Sequence, residues 1–197
     1  MCIRDMLYTY IYKDNPIPRC TIQMQRIGIS GKMCSGKTNL AQLLVESESR
    51  FTIVSFADPI YNLAREYFGM EEKDRGLLIH IGESFRAKDP NVWIRAFMRR
   101  VVELEAEGKW VLVDDLRLAQ EHAALRENGF KLVRLNVSEY EQENRLRTKY
   151  PTTYGTHLEN RSHSTECDLD HIGDWDVYAT ENARADWVRK LVTLSPK

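Results

Sequence analysis

The sequence predicts an α/β fold in which a five-stranded parallel sheet carries helices on both faces, as a three-layer sandwich. Short segments rich in β-branched and aromatic residues alternate with longer segments whose apolar residues recur at helical spacing. A chain that alternates strand and helix in this way forms right-handed βαβ units and therefore a parallel sheet. Its 197 residues, 43% of them apolar, suit one domain with a buried core.

Five segments have the composition of strands. Trp110–Val113 is a continuous apolar run, which is typical of a strand that helices cover on both faces. The first strand precedes a glycine-bounded turn at residues 31–38. The predicted strands, in order, are Arg26–Ser30, Phe51–Phe56, Trp110–Val113, Lys131–Val137 and Asp176–Ala179.

Helices are predicted between these strands. Asp58 and Asp89 are cap residues followed by proline, and Ser138 is a cap residue with a glutamate three positions on. Gly69 and Gly129 follow the last periodic residues and end helices. The polar segment 150–164 lacks periodicity and is predicted as a mobile loop. The predicted helices are Thr38–Glu48, Asp58–Phe68, Glu71–Ala87, Asp89–Glu107, Ala119–Asn128, one that begins after Ser138, and Asn182–Val192.

Residues 1–23 differ from the rest of the chain. They lack the layout of a signal peptide, and Asn15-Pro16-Ile17-Pro18 breaks regular structure. Met24 lies just before the first predicted strand. We therefore expect residues 1–23 to be a peripheral extension and residues 24–197 to form the domain.

Charge and cysteine content exclude several classes of protein. With 28 basic and 29 acidic residues the formal net charge is −1, so we expect no binding to nucleic acid or to an anionic membrane. The four cysteines have no zinc-site or disulfide-framework spacing, which favours a reducing cytosol. No stretch of about 20 residues is apolar enough to span a membrane. The oligomeric state is open, and a homodimer is compatible with the sequence.

The strongest functional motif follows the first strand and fits G-x-x-x-x-G-K-[ST], the P-loop. Its glycines let successive N–H groups turn inward, where they and the positive end of the next helix hold β- and γ-phosphates. Lys37 supplies a positive charge to those phosphates, and Thr38 offers its hydroxyl to Mg²⁺. The alternative is a glycine turn without function. The motif consists of Gly31, Lys32, Met33, Cys34, Ser35, Gly36, Lys37 and Thr38.

A second motif, WVLVDDLR, ends the predicted strand at Trp110–Val113. A P-loop protein places the carboxylate that holds Mg²⁺ at such a strand end, usually through water. Asp114 and Asp115 are both candidates, and Arg117 could face a phosphate. The alternative is an ordinary polar strand end.

Basic side chains are also frequent after the predicted strands. In-line phosphoryl transfer needs cations around the moving group, because charge spreads over its oxygens in the transition state. Each of these residues alone is more typical of a solvated surface, but we expect some of the set to line a cleft. The set is Arg75, Arg86, Arg95, Arg145, Arg147, Lys149 and Arg161.

Several motifs between Met24 and Leu191 resemble, in the same order, those of the phage and viral deoxynucleoside monophosphate kinases. Animal-type phosphomevalonate kinases are similar in the same places, particularly over residues 165–176. Both families have the nucleoside monophosphate kinase fold of P-loop NTPases. The matching motifs are Phe56-Ala57-Asp58-Pro59, Asp74-Arg75 with Leu77-Leu78 and Ile81-Gly82, Asp89-Pro90-Asn91-Val92-Trp93, Asp115-Leu116-Arg117, Ser164-Thr165-Glu166 before Leu169, and Thr180-Glu181-Asn182.

The resemblance implies an acceptor site. Asp58 and Arg75 would lie in the acceptor-binding region, and Arg86 and Trp93 would line or support it. Arg117 would bind the phosphate of the acceptor.

The resemblance also implies the residues that act on the triphosphate. Asp115 matches the metal position of the family, which often has one Asp, then Thr or Val, before the arginine. Arg145 and Arg147 would belong to a lid over about residues 145–165, and Asn182 would mark the loop that packs on adenine. Two helical residues that are two apart differ by about 200°, so only one arginine can face the cleft, and we expect Arg145 to do so. The expected catalytic set is Lys37, Asp115, Arg117, Arg145 and Arg147.

The function that we expect is transfer of a phosphoryl group from ATP, with Mg²⁺, to a (deoxy)nucleoside monophosphate in the cytoplasm (the host cytoplasm for a viral protein). The acceptor already carries a phosphate nucleophile, so positioning and charge neutralisation suffice. Phosphomevalonate kinase is the alternative enzyme. A non-catalytic or switch-type P-loop module is the third reading, and the lack of an N-K-x-D tetrapeptide argues against a GTPase switch.

Overall fold

The computed structural model of the protein describes residues 24–155 and 167–180. Three predicted features lie outside these residues: the extension at 1–23, most of the predicted loop with Arg161, and the last helix with Asn182.

The described chain alternates strands and helices and confirms the α/β P-loop fold. Its five strands pair in parallel in the order β2-β3-β1-β4-β5. The strands are β1 Arg26–Gly31, β2 Phe51–Ile53, β3 Trp110–Leu116, β4 Lys131–Asn136 and β5 Val177–Thr180. The helices are α1 Lys37–Ser47, α2 Asp58–Phe68, α3 Arg75–Lys88, α4 Val92–Ala106, α5 Ala119–Glu127 and α6 Glu139–Lys149.

The largest differences from the predicted boundaries lie at four elements. α4 begins at Val92 rather than Asp89, because Asp89 is the C-cap of α3. β2 ends three residues early, at Ile53, because the next residues turn toward the end of β3. β3 continues past the apolar run to Leu116, which pairs with Ser30 of β1. α3 begins at Arg75 rather than Glu71, because the Asp74 side chain caps it by accepting a hydrogen bond from the N–H of Leu77.

The sheet lies between two helical layers. On one face α1 packs against alternate residues of the central strands, among them Ile27, Ile29, Leu112 and Leu135. On the other face α4 and α5 cover the intervening residues, including Val111, Val113 and Leu132. A third, smaller core joins α2, α3 and α4 through Ile60, Ala64, Met70, Ile81 and Trp93.

Because all five strands are parallel, their carboxyl ends meet at one edge of the sheet, which is where ligands bind in open α/β sheets. The P-loop follows β1 there, the two aspartates end β3, and α6 follows β4. Within the described ranges, no helix is both long and apolar enough to cross a membrane.

Gly31, the last residue of β1, generates a stability prediction. A Cβ atom at this position would lie 2.5 Å from the Ser35 hydroxyl and 2.8 Å from the carbonyl oxygen of Leu135, which β1–β4 pairing holds in place. Gly31→Ala should therefore lower the free energy of unfolding by about 1–3 kcal/mol, measured by urea denaturation.

Gly173→Ala is the matched control, because a Cβ atom at Gly173 would have no neighbour within 4 Å. This variant should stay within about 0.5 kcal/mol of wild type. Equal losses in the two variants would contradict the close approach at Gly31.

Candidate functional site

Residues 31–38 form the tight loop that the motif predicts. Cys34 and Gly36 have left-handed backbone conformations, with φ of 60° and 100°. A positive φ is costly for a cysteine, and such strain tends to persist at functional sites. Gly36 is the N-cap of α1, and the first bond of the helix runs from the N–H of Leu40 to the Gly36 carbonyl. The preceding N–H groups of α1 therefore face the loop and make an anion site.

Lys37 lies over this loop. Its ammonium group donates to the carbonyl oxygens of Gly31 at 2.6 Å and Lys32 at 3.0 Å. The positive charge is thereby held beside the N–H groups that face the loop. This is the arrangement that binds the phosphates of a nucleoside triphosphate.

Thr38 and Asp114 come together at the mouth of the loop. The Thr38 hydroxyl donates to Oδ2 of Asp114 at 3.0 Å, which joins α1 to the end of β3. A hydroxyl and a carboxylate are hard oxygen ligands, and Mg²⁺ in such proteins takes one or two of them together with waters and phosphate oxygens. The two residues therefore fit a magnesium ion.

Asp115 differs from the prediction that placed it at the metal. Its carboxylate accepts hydrogen bonds from the hydroxyl of Ser55 and the N–H groups of Phe56 (3.1 Å) and Ala57 (3.2 Å). The register between β1 and β3 shifts at this point, and the contact with Thr38 is made by Asp114. Asp114 is thus the aspartate beside Thr38, and the assignment of the metal to Asp115 stays a prediction.

Arg117 lies just beyond, in an exposed position after β3. Its N–H donates to Oε2 of Glu121 at 3.1 Å, and the N–H of Leu118 donates to the same oxygen at 3.1 Å. Glu121 thus fixes the turn that carries Arg117. Sequence reasoning missed Glu121, although a glutamate at the third position of a helix is a known capping signal.

The Glu121 carboxyl is buried, at 7% exposure. Burial raises its pKa to about 7, and the negative charge of Asp115 acts in the same direction. The N–H groups of Arg117 and Leu118 and the positive charge of Arg86 oppose that rise in pKa. Near neutral pH this carboxyl therefore exists in both protonation states.

Residues expected at the acceptor site are distributed over α2 and α3. Asp58 begins α2, and its carboxylate accepts the N–H of Ser55 at 2.9 Å, so it shapes the loop before the helix. Arg75 is the exposed first residue of α3. Arg86, near the end of α3, is half-buried, and its charge acts on Glu121 across the gap to α5.

Trp93 supports this layer from within. It is 6% exposed, its indole N–H donates to the carbonyl of Gly82 at 3.1 Å, and its ring packs on Phe85 at 5.3 Å between centroids. Of the two roles expected for it, lining or supporting, this position fits support.

α6 is attached to the P-loop. Arg145 donates to the Ser35 carbonyl at 3.2 Å, and Gln142 donates to the Met33 carbonyl at 2.7 Å. Arg147 points elsewhere: it pairs with Glu143 at 2.6 Å and is 57% exposed. The side chains of Arg145 and Arg147 point in different directions from the helix, and Arg145 is the one that faces the phosphate loop.

A polar cavity of about 310 Å³ lies beside the P-loop, between the end of β4 and residues 167–170. Asp170 bridges two of its cations, Lys32 of the loop at 3.0 Å and Arg134 of β4 at 2.6 Å. Arg134 also donates to the Ser30 hydroxyl at 2.9 Å. These contacts tie the P-loop to β4 and to the segment before β5.

The raised pKa of Glu121 generates a pH prediction. The folded protein holds this proton more tightly than the unfolded chain, so the stabilisation is complete below the ordinary pKa of 4.5 and is lost as the pH rises through 7. Relative to wild type, Glu121→Gln should gain up to about 3 kcal/mol of unfolding free energy between about pH 5 and pH 8.

Urea denaturation at several pH values measures this difference. Glu127→Gln, an exposed position on the same helix, is the matched control. A gain of the same size in the control would contradict the assignment to the buried carboxyl.

Comparison with known proteins places this geometry in a family. The family model described as AAA domain matches residues 27–165, which include the P-loop, β3 and α6. No curated protein matches the chain.

Solved structures share the fold. A sugar kinase from Janibacter sp. HTCC2649 is 16% identical with a TM-score of 0.54, covering 86% of this chain and 93% of its own. TT1252 from Thermus thermophilus is 18% identical with a TM-score of 0.56, covering 87% and 98%. At these identities the likeness concerns the fold. The chain belongs to the AAA domain family.

Proposed function

We propose that the protein transfers the γ-phosphoryl group of ATP to the phosphate of a (deoxy)nucleoside monophosphate. The observation that carries the proposal is the Thr38–Asp114 contact beside Lys37, at the same sheet edge as Arg117. A donor site for a metal–triphosphate complex and a cation for the acceptor phosphate thus lie at one edge of the sheet.

On the donor side, the N–H groups of the P-loop and Lys37 would bind the β- and γ-phosphates. Thr38 and Asp114 would hold Mg²⁺, which when bound supplies positive charge to the phosphate oxygens. Arg145 donates hydrogen bonds to the carbonyl groups of Cys34 and Ser35 in the loop. From this position its positive charge would stabilise the phosphoryl group during transfer. We infer that residues 145–165 act as the lid over this site and that residues 1–23 are peripheral to the domain.

On the acceptor side, Arg117 would bind the acceptor phosphate and Glu121 would orient the turn that carries it. Arg86, Arg75 and Asp58 belong to the helical layer that would hold the rest of the acceptor. A phosphate nucleophile needs no strong general base, so positioning and charge neutralisation account for the chemistry that these residues offer.

The acceptor is tested by ADP release in a coupled assay. The panel should contain deoxynucleoside and ribonucleoside monophosphates, phosphomevalonate and a set of sugars, the last because one structural relative is a sugar kinase. We expect stimulation by at least one nucleoside monophosphate. If only phosphomevalonate or a sugar stimulates ADP release, that compound class is the acceptor and the nucleoside monophosphate assignment is wrong. If no compound stimulates ADP release, the kinase assignment is contradicted.

Lys37→Ala should abolish most of this activity without unfolding the protein. Its ammonium contacts loop carbonyls rather than the core, so the melting temperature should hardly change. Turnover should fall by a factor on the order of 10³ or more, because a charge on the phosphates is lost. Activity within about tenfold of wild type would contradict catalysis at this loop.

Arg145→Ala should lower kcat by about tenfold or more with little change in ATP affinity. The reason is that the contact between Arg145 and the transferring phosphoryl group would form fully only in the reacting complex. Arg147→Ala is the matched control on the same helix, and it should have little effect because its side chain pairs with Glu143 at the surface. Single-turnover rates measure both. If neither variant slows phosphoryl transfer, α6 is not the arm of the lid.

A further inference from the structure

We propose that Asp115 is a positioning residue that fixes the acceptor-binding helices relative to the metal-binding Asp114. The inference rests on the proposed function and deepens it: the two adjacent aspartates at the end of β3 serve the two substrates separately.

The two aspartates contact different layers of the fold. The Asp114 carboxylate accepts a hydrogen bond from Thr38 of α1. The Asp115 carboxylate accepts hydrogen bonds from residues 55–57, and the Phe56 side chain there belongs to the core on the α4 and α5 side of the sheet. Strict alternation does not set this arrangement, because the register between β1 and β3 shifts between Gly28 and Ser30. The two carboxylates therefore have separate partners.

Asp115 holds the loop between β2 and α2 through three donors. Its Oδ1 accepts the N–H of Phe56 at 3.1 Å, and its Oδ2 accepts the N–H of Ala57 at 3.2 Å and the Ser55 hydroxyl. The Ser55 hydroxyl also accepts the N–H of Ala57 at 3.1 Å. Three hydrogen bonds from one short segment thus converge on a single carboxyl group.

This loop leads directly into the acceptor layer. Asp58, the first residue of α2, closes the loop by accepting the N–H of Ser55. Ile60 and Ala64 of α2 pack with Ile81 of α3 and Trp93 of α4 in one small core. A shift of the loop would therefore move α2, and with it the layer that carries Arg86.

The consequence concerns the acceptor alone. In-line transfer requires the reacting atoms to approach within about 3–3.5 Å, so a loosened loop should misplace the acceptor. The metal site should be affected little, because Thr38 and Asp114 lie on the other face of the sheet. Acceptor binding and Mg²⁺ dependence should thus respond to different aspartates.

The test compares Asp115→Asn with Asp114→Asn, each of which keeps the size of the side chain. Asp115→Asn should raise the KM for the nucleoside monophosphate by about tenfold or more and leave the Mg²⁺ midpoint within about twofold. Asp114→Asn should shift the Mg²⁺ midpoint by about tenfold or more and leave the acceptor KM nearly unchanged. Equal Mg²⁺ shifts in both variants, or an unchanged acceptor KM in Asp115→Asn, would overturn the proposal.

Ser55→Ala provides a second route that leaves both aspartates in place. It should raise the acceptor KM in the same direction, and the Ser55→Ala/Asp115→Asn double variant should be no worse than Asp115→Asn alone, because both changes break one network. The exposed Ser49→Ala is the matched control. Additive effects in the double variant would overturn the network.

Amide hydrogen exchange of residues 54–57 separates this inference from the proposed function. Exchange there should accelerate in Asp115→Asn and stay as in wild type in Asp114→Asn. If wild type phosphorylates no monophosphate, the proposed function fails, and the exchange result still decides whether Asp115 anchors the loop. Unchanged exchange in Asp115→Asn would overturn the inference.

Discussion

Parallel pairing of β1 with β3 on one side and β4 on the other is the constraint on which the site depends. It brings the P-loop, the end of β3 and the start of α6 to one edge of the sheet, although they lie far apart in the sequence. The pairing is tight at Gly31, where the Leu135 carbonyl leaves no room for a side chain. A residue with a side chain would therefore disturb the point at which the phosphate loop leaves the sheet.

The irregular end of β3 carries two carboxylates with different partners. There the apolar residues of the strand are followed by Asp114 and Asp115, and the register with β1 shifts. One carboxylate meets a hydroxyl at the N-terminus of α1, and the other is surrounded by donors from a single loop. Asp114 and Asp115 are neighbours in sequence and chemically identical, but they contact different parts of the fold.

Charge at this edge is organised in buried or half-buried groups with defined partners. Glu121 accepts two backbone N–H groups, and Arg134 lies between the Ser30 hydroxyl and Asp170. Buried polar groups stabilise a fold only when they are paired, and their burial here shifts a pKa toward neutrality. These contacts fix the segments that follow the strands, and the side chains of the candidate site lie on those segments.

Local pattern in the sequence determined the alternating elements, the parallel sheet and the position of the phosphate loop, because hydrophobic period, caps and glycines act over a few residues. It also predicted that Arg145 and Arg147 cannot face the same way. Which aspartate meets Thr38 was decided by the tertiary structure, since it depends on which face of β3 lies against α1. The anchoring roles of Glu121, Gln142 and Asp170 likewise appear only in the fold, because their partners are separated from them by crossovers or are backbone atoms, which carry no signature in sequence.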